Sequence, residues 1–219
     1  MKKSIESIWK EGFLKNDALV APKVNDLYNQ KSIHLLDRFE KTYKWNLIFL
    51  VIFAFVVLII SIPIGMKYMG IPMFFILNIL VLISKQHFDS LKNIDKTQSS
   101  YQYLKAYDSW LNKKITAIAK VYSLVYPLIF LSMVLGFWFL DVGDDRFLGE
   151  IVTTWLVEEF PNVSLVGGVP LFGIIGVILI TGLISFFSKK MYLLDLKAVY
   201  GNLMGKLAEL LSDMEKLRA

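Results

Sequence analysis

From residue 45 to residue 66 the chain reads WNLIFLVIFAFVVLIISIPIGM, 22 consecutive residues without a charge. A helix needs about 20 mainly apolar residues to cross the hydrocarbon core of a bilayer, so this stretch alone predicts a membrane span. Two further runs meet the same test: residues 121–140 are uncharged over 20 positions and residues 163–188 over 26. A fourth, residues 69–84, is uncharged over only 16. It follows the first after Lys67 and Tyr68 alone, and a chain that has crossed once must return to supply more spans. Residues 45–84 therefore read as a transmembrane hairpin, with Pro72 early in its second helix.

Composition supports the same solvent. Hydrophobic residues make up 55% of the 219 and charged residues 20%, against roughly 45–50% and about 25% in soluble domains. The absence of cysteine excludes a thiol nucleophile, a thiolate zinc site, an iron–sulfur cluster and a disulfide framework.

The charges outside these runs set the topology. Of the 24 Lys and Arg residues, 22 fall in residues 1–44, 85–120 and 189–219; only Lys67 and Arg146 fall in the two opposite connections. Residues 141–162 hold six acids against that one arginine. By the positive-inside rule, four spans with both termini in the cytoplasm satisfy this split, and an odd number does not. The first 44 residues are too polar for a cleavable secretory signal. The expected location is the bacterial inner membrane, with the protein multi-pass and both termini inside.

The basic segments are patterned as helices. Phe88, Leu91 and Ile94 recur at three-residue steps, and Leu104, Tyr107, Leu111 and Ile115 at three-four spacing. Between them, residues 95–100 carry turn chemistry. Residues 85–120 thus read as a cytoplasmic helical hairpin continuing the second span and the third, 121–140. The tail, 189–219, carries Leu193, Leu196, Tyr200, Leu203, Leu207, Leu210, Met214 and Leu217 along one seam. Leu196, Tyr200, Leu203, Leu207 and Leu210 form its candidate interaction face, and the spacing of Gly201 and Gly205 allows close approach of another helix. In residues 1–44 a short helix around Ile5, Ile8 and Trp9 is expected to break near Gly12 and Pro22 before Val24, Leu27, Leu35, Phe39 and Tyr43 lead into the first span. The fold class predicted is all-α: a four-span polytopic membrane protein whose helices extend into a cytoplasmic helical bundle.

On the outer side, residues 141–162 combine Phe147, Ile151, Trp155 and Phe160 with acids, which suits a short interfacial helix stopped by Pro161 before the fourth span, 163–188. Asp141, Asp144 and Asp145 lack the spaced ligands of a calcium loop and read as a solvated cap. Asn162-Val163-Ser164 is a glycosylation sequon that chance suffices to explain. Gly167-Gly168-Val169-Pro170 reads as a flexible lead into the last helix.

Chemistry is sparse. The two histidines, His34 and His87, cannot form a three-histidine site, and no phosphate-binding glycine loop occurs. No cofactor or metal is expected. Asn78 is the one amide well within a span and Lys120 a charge close to an apolar run, where burial is costly and functional groups concentrate. Lys44, Lys85, Lys113, Lys114, Lys189 and Lys190 flank span ends and suit anionic lipid headgroups. They form no dense patch, so nucleic acid is not an expected partner. The reading that results is a non-enzymatic membrane scaffold or signalling regulator whose cytoplasmic bundle binds a protein partner or a second copy of the chain. The alternative is a small transporter or channel subunit using Asn78 and the glycine face at Gly173 and Gly176. A membrane-embedded lipid-modifying enzyme comes third, since Glu158 and Glu159 are adjacent and point to different helix faces.

Overall fold

A computed structural model describes residues 5–94, 100–144 and 146–216, with side chains described from residue 30 onward except at 92, 93 and 100. The elements in order are α1 (Ile5–Ser61), α2 (Lys67–Asp89), a 3₁₀ turn (Ser90–Asn93), α3 (Ser100–Trp138), α4 (Leu148–Glu159), the strands β1 (Leu165–Val166) and β2 (Val169–Pro170), and α5 (Leu171–Lys216). The fold is all-α, and α1, α2, α3 and α5 are each long and apolar enough to cross a membrane, which fits an integral multi-pass membrane protein.

Prolines and glycines set where the helices turn. α1 stops at Ser61, before the end of the uncharged run, because Pro63 lacks an N–H and disfavours helical backbone at Ile62. The turn is thus Ile62–Met66, and Lys67 opens α2 rather than lying between helices. Pro72 sits in the second turn of α2 rather than at its first position. At this crossing a Cβ on Gly70 would collide with Ser61 Oγ, so only glycine lets α1 and α2 approach so closely. The expected break near Gly12 and Pro22 is absent, since α1 runs as helix through both. One proline removes one ladder hydrogen bond, and the turns on either side are able to continue.

Residues 165–170 correct the expectation of a flexible lead. Val166 pairs with Val169 in a two-residue hairpin, with Gly167 at φ +57° and Gly168 at φ +78°. Consecutive positive φ angles match the right-handed strand twist and favour glycine at both positions. The last span therefore starts as helix at Leu171 rather than at residue 163, and its 18 residues to Ser188 rise about 27 Å. α4 is seated by Gly149 against the Trp138 indole, where a Cβ would overlap the ring. Thr153 Oγ1 donates to the Gly168 carbonyl at 3.0 Å, tying α4 to the hairpin.

Three apolar clusters divide the molecule. At the basic end α1, the α2 terminus with its 3₁₀ turn, α3 and α5 bury Leu36, Phe39, Phe88, Leu91, Leu104, Tyr107, Tyr200, Leu207 and Met214 together. Within the spans, Ala54 of α1 meets Met73 and Leu77 of α2, with Ile129 of α3 packed alongside. Between them Ile118 and Ala119 of α3 pack on Tyr192 of α5. The three-residue step Phe88, Leu91, Ile94 is the period of the 3₁₀ turn, which keeps all three on the core side. Of the expected turn at residues 95–100, Ser100 opens α3 instead; residues 95–99, the seam's Leu217, the acid Asp145 and the side chains of the first amino-terminal apolar stripe lie outside the described residues.

Candidate functional site

The polar groups that the structure brings together lie where the spans meet the basic-end bundle. Tyr43 Oη donates to the Ser84 carbonyl at 3.0 Å, linking α1 to α2. Asn46 Nδ2 donates to Tyr200 Oη at 3.0 Å, linking α1 to α5 across 154 residues of sequence. Tyr126 Oη donates to an Asp195 carboxylate oxygen, linking α3 to α5. Tyr122 stacks on Tyr192 with centroids 4.5 Å apart, and Tyr43 stacks on Phe88 at 4.8 Å. All four long helices are thus joined at one level by an aromatic and hydrogen-bonded layer.

Residues of this layer line a partly open cavity of about 90 Å³. That is well below the ~300 Å³ at which small-molecule sites begin, and it has room for about three waters at ~30 Å³ each. Burial raises the Tyr200 hydroxyl above its ordinary range, partly opposed by the Asn46 hydrogen bond. The group therefore stays a neutral hydroxyl through the physiological range and serves as a hydrogen-bonding tie rather than a nucleophile.

Of the residues singled out from sequence, Tyr200 and Leu196 of the tail seam reach this layer; Asn78, Lys120 and the flanking lysines do not line its cavity. Asn78 Nδ2 donates to the Phe74 carbonyl of its own helix at 2.8 Å. Lys120 is exposed, and its carbonyl accepts from Ser123 Oγ at 2.6 Å. Of the tail seam, Tyr200 and Leu207 are buried, and Leu196, Leu203 and Leu210 pack half-buried against the same core. That face is therefore occupied within the chain. A Cβ added at Gly205, Gly173 or Gly176 would meet nothing within 4 Å, and one at Gly201 would meet only Lys197 of its own helix. No other helix uses these glycines for close approach among the described residues.

Lys85, Lys113, Lys189 and Lys190 are exposed. Lys44 pairs with Glu40 at 3.8 Å and lies over the Phe88 ring at 5.8 Å. Lys114 Nζ donates to His87 Nδ1 at 3.3 Å. Burial first, and the Lys114 charge second, hold His87 below its ordinary pKa. No group of three metal-ligating side chains occurs among the described residues.

Sequence reasoning missed the joint. Its available signal was a set of tyrosines at span ends, Tyr43, Tyr122, Tyr126 and Tyr192, which is the aromatic belt expected at a membrane interface. That pattern says nothing about whether the rings face lipid or one another. Comparisons of this chain with protein families, with curated proteins and with solved structures return no match.

Proposed function

We propose that this protein is a non-enzymatic integral membrane scaffold or signalling regulator of the bacterial inner membrane, with both termini and the basic-end bundle in the cytoplasm. The observation that carries the reading is the location of the principal packed core. Among the described residues, four helices bury eleven together outside the apolar runs, whereas the span cluster buries three. A chain that concentrates its packing in an extramembrane body, and uses its spans mainly as anchors, suits presentation of that body to a protein partner. Membrane lipids contact the spans and the flanking lysines, and the remaining partner surface lies on the outside of the bundle, since the seam is covered.

The transporter alternative draws less support. Asn78 bonds within its own helix and Lys120 is exposed, so these two candidates do not line a common path. Affinity purification from membranes tests the proposal. A stoichiometric soluble partner supports it; ion or solute flux in liposomes containing the purified protein alone overturns it. Reporter fusions at residues 68 and 150 and at both termini test the orientation, and an outward-facing carboxy terminus overturns that part.

A further inference from the structure

We propose that the cleft between α1 and α5 in the basic-end bundle binds a phosphate-bearing ligand, with Arg38 and Lys206 as a two-sided clamp. The cleft measures about 360 Å³ and is walled by the 31–38 face of α1 and the 206–213 face of α5. That volume lies within the ~300–1,000 Å³ range of small-molecule sites, too large for a lone phosphate and adequate for a diphosphate or nucleotide. Leu35 and Leu210 form its apolar floor, since both also pack on the bundle core.

The register of the two helices places like charges opposite each other. α1 and α5 run antiparallel and are tied by Asn46 and Tyr200. From that tie, eight residues back along α1 reach Arg38, about 12 Å away, and six residues forward along α5 reach Lys206, about 9 Å away. The two cations therefore share a level on opposite walls, with His34 one turn beyond Arg38. Neither Arg38 nor Lys206 has a carboxylate within 4.0 Å among the described residues. Two facing, unpaired cations repel each other and favour an intervening anion, and a guanidinium presents paired donors to phosphate oxygens. Glu209, one turn beyond Lys206, and Asp213, a further turn on at the end of the α5 wall, suit the amino or hydroxyl donors of a ligand whose phosphate sits at the clamp.

Binding there would draw α5 onto α1. Both helices continue unbroken into spans, so occupancy of the cleft is coupled to span geometry. This chemistry does not depend on the scaffold reading. The phosphate has two possible sources, a soluble metabolite or a lipid headgroup, because Arg38 lies only about 10 Å beyond the start of the apolar run at residue 45.

The test uses full-length protein purified in neutral detergent and titrated calorimetrically with pyrophosphate and with ATP. A parallel arm compares thermal unfolding in nanodiscs of phosphatidylcholine with and without phosphatidic acid. Saturable binding is expected, weakened about tenfold or more by Arg38→Gln and by Lys206→Gln, because each removes a charge-assisted hydrogen bond. Lys197→Gln, an exposed lysine outside the cleft, should leave it unchanged. Arg38→Lys should bind with intermediate affinity, which separates loss of the clamp from loss of fold. A response to phosphatidic acid alone assigns the lipid source; a response to the soluble anions assigns the metabolite. Absence of saturable binding in every arm overturns the proposal, and so does equal weakening by Lys197→Gln.

Discussion

The two halves of α5 have opposite fates. From Leu171 to Phe187 no residue is buried, and Ile178 and Leu179 are each 63% exposed. Beyond Ser188 the same helix buries Tyr192, Tyr200, Leu207 and Met214, one every seven or eight residues. The difference follows from the solvent. Lipid tails are as apolar as leucine, so a span gains no hydrophobic free energy from packing on a neighbour. An apolar stripe among charged residues is penalised by water, so that half must find partners, and α1, α2 and α3 extend past their uncharged runs to provide them. The bundle is the packed body of the molecule, and the spans form a looser group in which α5 leans mainly on α3, where Ser185 Oγ donates to the Ser123 carbonyl at 3.3 Å.

The sharpest way to break this contrast is to charge the seam. Leu203→Asp with Leu207→Asp puts carboxylates into the bundle, where an unpaired buried ion costs several kcal/mol. The tail should become protease-sensitive and partner capture should be lost, while membrane insertion persists. A tail that stays protected would mean that the seam does not hold it.

Next in size is a matched pair of truncations. Leu104, fully buried, should lose about 2–5 kcal/mol on replacement by alanine. Leu179→Ala in the exposed span should stay within about 0.5 kcal/mol. Chemical unfolding in detergent micelles compares them, and equal losses would remove the distinction between the two halves.

A smaller effect depends on pH. His87 has its pKa lowered in the fold, so the native state prefers the neutral ring facing the Lys114 ammonium. The unfolded chain binds the proton more readily, so this contribution is fully present above about pH 6.5 and is lost as pH falls toward the folded pKa. The melting temperature should therefore fall between pH 7.5 and 5.5, and His87→Gln should flatten that dependence. An unchanged pH profile in the variant would assign the loss to other groups.

The smallest expected change is a gain. Tyr107 is 1% exposed, and its hydroxyl has no hydrogen-bond partner among the described residues. Its ring lies edge-on to Phe39 at 5.6 Å. Tyr107→Phe removes an unsatisfied donor and keeps the ring, so stability should hold or rise by about 1 kcal/mol. A marked loss in a thermal scan would show that the hydroxyl is satisfied in solution.

Much of the architecture was legible in the chain itself. Uncharged runs of span length and the three-four seams report a local choice of solvent, which each segment makes alone. The spans, the bundle and the short helix at 148–159 follow from that choice. Backbone detail was less visible: Pro63 ends α1 early and the paired glycines form a hairpin, because these depend on single dihedral angles rather than on periodicity.

The candidate sites belong to the tertiary structure. Asn46 and Tyr200 meet across 154 positions, and Arg38 and Lys206 line one cleft only because α1 and α5 are antiparallel in one register. Periodicity states that a face is apolar or basic, but not which helix it meets or at what height. Those depend on how four helices pack around Leu104 and Tyr107, where each contact is decided by all the others. The sequence by itself thus determined which segments are helical and apolar enough to span a membrane, and packing decided which side chains stand together.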